Sequence, residues 1–326
     1  MEVPCPFGVV VIGRNEGERL KRCINSLAGA AHVVYVDSGS TDGSVAWAKQ
    51  SGIEVVALDM SNPFTAARAR NAGFRRLRQL APDLDFVQFI DGDCELDRSW
   101  PRAALIHLSR HPHTCATFGR RRERYPDRSI YNLICDREWD VPLGNVKACG
   151  GDVMMRVDAL EAVGGYCGRL IAGEEPELCV RLRAAGWKVW RLDHEMTMHD
   201  AAIVRFSQWW RRQMRSGYAF AEGAHLHGST AERHWVWESR RALIWGLAFP
   251  MSVIAAVALL GSWAALLFLV YPLQVLRRMR SMQGDWRGRM QLAFFEQLSR
   301  FPEAVGHLRF VRDRLLRRSG LLIEYK

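Results

Sequence analysis

The 326-residue sequence has no Cys-x-x-Cys pair. Its eight cysteines (Cys5, Cys23, Cys94, Cys115, Cys135, Cys149, Cys167 and Cys179) are scattered, which excludes a zinc ribbon or a disulfide framework and fits a reducing compartment. The start, Met1 to Pro6, lacks the basic residues and long apolar core of a signal peptide, so the N-terminal part is expected to stay in the cytosol. No nucleic-acid motif accompanies the net charge of +10. Charge itself is missing from Ala242 to Leu276, thirty-five residues without one Asp, Glu, Lys or Arg. Hydrophobic residues make up 48% of the chain, which excludes global disorder and leaves room for one large core or two smaller ones.

What is present begins with apolar runs that end in polar turns. Phe7 to Gly13 reads as a buried strand ending at Arg14, Asn15, Glu16 and Gly17. Leu20, Ile24 and Leu27 recur at helical spacing, and His32 to Val36 reads as a second strand. Asp37 to Ser44 is a dense turn cluster in which Asp42 or Ser44 is placed to cap the next helix. A strand over Ile53–Leu58 and a helix from about Thr65 to Leu80 follow. Phe86 to Ile90 then runs straight into Asp91-Gly92-Asp93. This alternation is the signature of a mainly parallel, helix-covered α/β sheet of nucleotide-binding type. Ligands bind such sheets beyond the carboxyl ends of their strands, where Asp91 and Asp93 fall. Two hard oxygen ligands this close suit Mg2+ or Mn2+ when a diphosphate supplies further oxygens.

From Trp100 to about Gly150 the pattern is less regular, and the basic cluster Arg120 to Arg124 reads as either a solvated face or a phosphate site. A short strand is expected over Gly150–Arg156 and a helix from near Asp158 to Gly164. Gly173-Glu174-Glu175-Pro176-Glu177 feeds another helix with its acidic residues at the positive end of the dipole. A strand over Trp187–Leu192 leads by a short loop to His199. His111, His113, His225 and His227 have no carboxylate partners nearby in sequence and read as surface.

The helix expected over Phe206–Phe220 carries Trp209, Trp210 and three arginines, which suits either a membrane interface or packing against the sheet. The charge-free stretch is too long for a single perpendicular span, and Pro250, Gly261 and Pro272 offer places to break it. One tilted span with an interfacial turn, a helical hairpin and a buried core helix pair all fit; arginines flank both ends (Arg240 and Arg241; Arg277, Arg278 and Arg280), so charge favours both ends in the cytosol and a hairpin or re-entrant pair between them. Twelve Lys/Arg against five Asp/Glu leave +7 between Arg277 and Lys326, read as attraction to anionic lipid and not to nucleic acid.

Taken in order, Val9 to Glu16, Asp37 to Ser44, Asp91-Gly92-Asp93 and Gly173 to Glu177 resemble the family 2 glycosyltransferases, over about residues 7 to 200. The resemblance implies a GT-A fold, an inverting transfer from a nucleotide sugar, a UDP-linked donor and a Mn2+ or Mg2+ cofactor. It also resembles bacterial members that build exopolysaccharides or surface glycans. The implied acceptor is lipid-linked or a glycan, at the inner membrane with the catalytic domain on the cytoplasmic side. Residues 1–230 would form the catalytic domain and 231–326 a membrane-associated helical segment with a basic tail. The resemblance carries Arg14, Asn15, Glu16 and Asp37 to the nucleoside, Asp91 to the ribose or donor sugar, and Asp93 with His199 to the metal. The catalytic base falls on Glu174 or Glu175, with Glu175 at the family's base position. A sugar-phosphate nucleotidyltransferase is the alternative enzyme class, although Gly13 to Arg19 lacks the Gly-rich, Lys/Arg-containing loop expected of one. A non-catalytic membrane scaffold that keeps a sugar-nucleotide fold is the other alternative.

Overall fold

A computed structural model describes residues 6–317, 320, 323 and 324; Cys5, most of the start read for a signal peptide, and several residues of the basic tail lie outside these. The chain divides into two compact units, one of residues up to 126 plus 135–202 and one of residues 127–134 plus 203 onward.

The first unit opens with β1 (Phe7–Gly13), α1 (Glu18–Asn25), β2 (His32–Asp37), α2 (Ser44–Gln50), β3 (Glu54–Ala57), α3 (Ala66–Leu80) and β4 (Phe86–Asp91). These are the elements expected from the apolar runs. Strands β3, β2, β1 and β4 lie side by side and all parallel. Both faces of the central strands are covered, so their valines and isoleucines are buried without alternation, as in β1, where Val9, Val10 and Val11 have no exposed surface. Gly73 on α3 lets that helix lie close over the sheet, because a Cβ there would overlap Val10 and Val36. Thr65 caps α3 by accepting the Arg68 N–H at 3.2 Å, and Asp42 accepts the Ser44 N–H at the start of α2 at 3.1 Å.

Beyond β4 the sheet is mixed. It continues through β5 (Cys94–Leu96), α4 (Trp100–Arg110), β6 (Thr114–Glu123), α5 (Ile130–Glu138), β7 (Gly144–Val146), β8 (Val153–Arg156), α6 (Val157–Ala162), α7 (Glu174–Ala184) and β9 (Lys188–His199). Strand β8 runs antiparallel to β4 and β6, whereas β6 and β9 run parallel. Three expectations change here. The stretch after Trp100 is regular, with a ten-residue strand and two helices whose pattern was obscured by polar side chains pointing into the structure. Strand β9 does not stop at Leu192 but runs on to His199, because β5 pairs with its far end and sets Cys94 opposite His199. Of the strand expected over Gly150–Arg156, only Val153–Arg156 is extended into the sheet.

The second unit is helical. It holds α8 (Phe206–His227), α9 (Val236–Leu243), a π-helical turn over Ile244–Ala248, α10 (Phe249–Leu260), a 3-10 stretch over Ser262–Leu269, α11 (Val270–Arg280), α12 (Trp286–Leu298) and α13 (Arg300–Leu315). Trp209 of α8 is buried against Tyr131 and Phe295 at ring separations of 6.2 and 5.1 Å, so it is a packing residue. Helices α8 and α13 approach through glycines: a Cβ at Gly217 would overlap the backbone of Glu303, and one at Gly306 the carbonyl of Met214.

Candidate active site

The polar ends of β1, β2, β4, β6 and β9 carry the sequence-predicted residues, and the fold brings most of them into two adjoining clusters. The first centres on Arg70. This side chain leaves α3, is 2% exposed, and sends Nη2 to Asp91 Oδ1 at 2.9 Å. Its Nη1 lies 2.8 Å from Oε1 of Glu174 and 2.8 Å from Oε1 of Glu175. The guanidinium also faces the Tyr166 ring at 5.6 Å. One arginine therefore ties the strand end bearing Asp91 to the first turn of α7. Gly173 starts that helix with a left-handed backbone, φ 77°, which only glycine adopts at little cost.

The two glutamates differ. The Glu174 side chain is 5% exposed, whereas that of Glu175 is 14% exposed. Burial and the neighbouring Glu174 charge push the Glu175 carboxyl up, Arg70 pulls it back, and it comes to rest at about 7. A carboxyl titrating there can accept a proton at neutral pH and still hold it. Asp91 goes the other way: burial opposes its charge, but Arg70 and Arg121 beside it keep it below the ordinary carboxylate range.

Asp93 and His199 form the second cluster. His199 Nε2 lies 3.3 Å from Asp93 Oδ2, and Nδ1 lies 3.6 Å from Glu123 Oε2. Trp139 meets the imidazole edge-on at 4.8 Å. Both ring nitrogens thus face carboxylates, the Nδ1 one beyond hydrogen-bond reach, a setting that suits metal binding. The donors suit a hard or borderline divalent cation, and the ligand atoms of Asp93, Cys94 and His199 lie within 4.8 Å of one another. Burial pushes the Cys94 thiol well up, so carboxylate and imidazole are the ready donors.

Three residues join the clusters: Arg121 and Glu123, read from the sequence only as part of the basic cluster Arg120 to Arg124, and Asp152, read only as part of a strand. Asp152 accepts the Asp91 N–H at 3.0 Å and the Thr197 hydroxyl at 2.8 Å. Arg121 lies 3.4 Å from both Asp91 and Asp152 and stacks on Trp139 at 4.7 Å. Glu123 Oε2 stands 3.6 Å behind His199 Nδ1. The basic cluster of β6 is thus neither a uniform solvated face nor a free phosphate patch: Arg120 pairs with Asp136, Arg121 enters the site, Arg122 pairs with Glu195 and Arg124 with Glu95.

The nucleoside candidates sit in two turns stitched together next to these clusters. Ser40 accepts the Asn15 N–H at 2.8 Å, and Asn15 accepts the Thr41 N–H at 2.7 Å. Asp37 accepts the Gly39 and Ser40 N–H groups and the Tyr35 hydroxyl, each at 2.9 Å, and so shapes the turn it opens. Arg14 lies over the Phe64 ring at 4.8 Å, and Glu16 pairs with Arg19 at 2.7 Å. A Cβ at Gly92 would meet Ile12 O at 3.1 Å and Glu16 Cγ at 3.3 Å, so glycine there keeps the Asp91–Asp93 turn against the turn after β1.

Residues 8–163 match Glycosyl transferase family 2. The mannosyltransferase PcManGT from Pyrobaculum calidifontis, solved in complex with GDP-Man and Mn2+, is similar over 94% of this chain and 89% of its own, at 21% identity and a TM-score of 0.63. A likeness to TarS 1-349 from S. aureus covers 96% of this chain and 92% of that one, at 14% identity and a TM-score of 0.49.

Proposed function

We propose that this chain, a glycosyltransferase whose residues 8–163 belong to Glycosyl transferase family 2, moves a sugar from a UDP-linked donor to a membrane-associated acceptor, with inversion. The observation that carries the reading is the contiguity of Asp91, Arg70 and Glu175 beside the Asp93–His199 pair. Inverting transfer needs one base at the acceptor hydroxyl and compensation for charge growing on the departing diphosphate, and these clusters offer one of each.

Glu175 is the base. It is the less enclosed glutamate and is held near neutrality, so it takes the hydroxyl proton as the new bond forms. Glu174 keeps Arg70 in place and, through its charge, raises Glu175. Asp93 and His199 hold a divalent cation, Mn2+ or Mg2+, which supplies positive charge at the diphosphate when bound. Asp91 faces the ribose or donor sugar, its orientation fixed by Arg70, Arg121 and Asp152. Arg14, Asn15, Glu16 and Asp37 border the nucleoside, with Asp37 the residue that favours uracil.

The membrane part of the reading rests on the second unit. The helix Val236–Leu260 has a mean hydropathy of 2.3 over its most apolar window, of which 6% is buried, which is long and apolar enough to cross a bilayer. With basic flanks retained inside, the catalytic unit works at the cytoplasmic face of the inner membrane on a lipid-linked or glycan acceptor used in surface polysaccharide synthesis. The test is release of nucleoside diphosphate from a panel of UDP- and GDP-sugars, with Mn2+ and then with chelator. Turnover confined to a UDP-sugar and lost on chelation is the expected result. Preference for a GDP-sugar would overturn the donor, and chelator-resistant turnover would overturn the metal.

A further inference from the structure

Within the second unit, the two ends of the charge-free stretch border a small cavity of about 180 Å³. Arg241 of α9 and Trp245 of the π-helical turn line it from one side, and Gln274 and Arg278 of α11 from another. Each pair is four residues apart, so each helix turns a single face to the cavity. The π-helical turn is seated closely on the start of α13, since a Cβ at Gly246 would overlap the Arg300 carbonyl. That turn also ties the two limbs together. The Phe249 N–H goes to the Ile244 carbonyl, and Pro250 has no N–H to give Trp245. The Trp245 carbonyl instead accepts the Tyr271 hydroxyl at 2.5 Å.

Three arginines face the cavity, and two of them already have carboxylate partners. Arg278 Nε pairs with Glu296 at 2.7 Å, and Arg300 Nη1 with Glu303 at 2.9 Å. Arg241 has no carboxylate paired with it among the described residues, and its Nε–H is buried without an acceptor. Nε2 of Gln297, on the same cavity, is also buried without an acceptor. Buried polar groups are rarely left so. Both atoms are donors, so the complementary ligand is an acceptor, and beside an unpaired guanidinium it is an anion.

We infer that this cavity binds the phosphate group of an anionic lipid, with Arg241 as its main ligand and Gln297 and Arg278 beside it. The guanidinium fork matches phosphate oxygens, and at about 30 Å³ per water the cavity has room for a small tetrahedral anion. The lipid source follows from the order of side chains along both limbs. On the outgoing limb Arg241 gives way to Trp245 and then to exposed Met251 and Ile254. On the return, exposed Leu273 precedes Gln274, followed by Arg277, Arg278 and Arg280, all exposed. Arginine, then tryptophan or glutamine, then exposed aliphatic side chains is the order of polarity at the cytoplasmic edge of a bilayer. A lipid seated by its phosphate here leaves its acyl chains along the apolar limbs. The source of the phosphate rests on the membrane reading above; the phosphate itself rests on the cavity alone.

The experiment follows thermal unfolding of the full chain in uncharged detergent, with three probes: dihexanoyl phosphatidylglycerol, dihexanoyl phosphatidylcholine and inorganic phosphate. Phosphatidylglycerol is expected to raise Tm saturably, and the other two to leave it unchanged at the same concentrations. Arg241→Gln should move half-saturation up by about 10–100-fold, the range for losing a hydrogen bond to a charged group. Arg280→Gln, exposed and outside the cavity, should not move it. Arg241→Gln removes no ion pair, so its Tm without lipid should match or exceed that of the wild type. Gln297→Glu gives Arg241 a carboxylate of its own and should abolish the response. A response to phosphatidylglycerol that survives both Arg241→Gln and Gln297→Glu, or is matched by phosphatidylcholine, would overturn the anion site. An equal response to inorganic phosphate would overturn the lipid source and make this a site for free phosphate. Flotation with pure phosphatidylcholine vesicles tests the membrane reading separately. Wild type and Arg241→Gln should both float, and failure of both would overturn that reading while the micelle titration still reads the cavity.

Discussion

Arg70 contacts Asp91 through one nitrogen and both Glu174 and Glu175 through the other, all within 2.9 Å, while itself only 2% exposed. A single buried cation thus serves three carboxylates drawn from two distant stretches of sequence. Removing it takes from Glu174 and Glu175 the cation they share and leaves Asp91 with Arg121, which for a buried pair costs about 3–5 kcal/mol. Arg70→Met is expected to lose that much stability in urea unfolding. Arg70→Lys keeps a charge but cannot reach all three groups. Because Arg70 lowers the Glu175 carboxyl, this variant should fold and shift the acid limb of kcat/KM upward from about 7. An unmoved limb would remove Glu175 as the titrating base.

The two glutamates should separate on substitution. Glu175→Gln is expected to reduce turnover by about 10²–10⁴-fold, the usual contribution of a positioned base. It should also alter stability in a defined direction. The folded carboxyl titrates at about 7 and the ordinary value is 4.5, so the folded protein holds the extra proton between these values. Wild-type stability therefore falls as pH rises through that window, and Glu175→Gln should flatten the fall in Tm measured from pH 4.5 to 7. Glu174→Gln removes a charge that raises Glu175, so its activity should persist with the acid limb moved to lower pH. The reverse pattern would make Glu174 the base.

Metal binding can be read without turnover. Mn2+ titrated into the protein and followed by electron paramagnetic resonance should bind to the wild type and fail to bind to Asp93→Asn. Glu123 faces the far nitrogen of His199 at 3.6 Å, and an outer-shell partner that closes such a gap as the metal binds contributes about 10–100-fold in affinity. Glu123→Gln is expected to weaken Mn2+ within that range while leaving the fold intact by circular dichroism. Unchanged affinity in both variants would move the cation away from Asp93 and His199.

How much of this could be read from the chain follows from which signals are local. The parallel strands β3, β2, β1 and β4 were legible because burial on both faces leaves uninterrupted apolar runs. Asp91 and Asp93 were legible for the same reason, since they end such a run. Strand β6 was not, because its Arg120 to Glu123 end is polar and satisfied by partners such as Asp136 and Glu195, far away in sequence. The end of β9 was missed with its partner β5, a three-residue strand too short to carry a period. Arg70 was hidden differently. It lies in a helix rich in Ala and Arg, where one buried arginine looks like its solvated neighbours. The nearest local signal is the small-residue spacing around it, Ala67, Ala69 and Gly73, which marks the face of α3 turned to the sheet.

The pair Gly150 and Gly151 offers a test of that hidden arginine with its own control. Neither glycine has a left-handed backbone, so alanine is compatible with both conformations. A Cβ at Gly150 would meet nothing within 4 Å. A Cβ at Gly151 would overlap the Arg70 guanidinium and stand 3.1 Å from Asp91 Oδ2. Gly150→Ala should therefore be neutral, while Gly151→Ala forces Arg70 off Asp91 at a cost of about 1–3 kcal/mol, the range for overpacking a filled site. Because Arg70 steers both Asp91 and Glu175, Gly151→Ala should lower kcat and shift its acid limb upward, as Arg70→Lys does. Combining the two changes should add little beyond either alone, since both act through one guanidinium. Full additivity in that double mutant would mean that Gly151 matters for some other contact and that the Arg70 clamp does not govern the base.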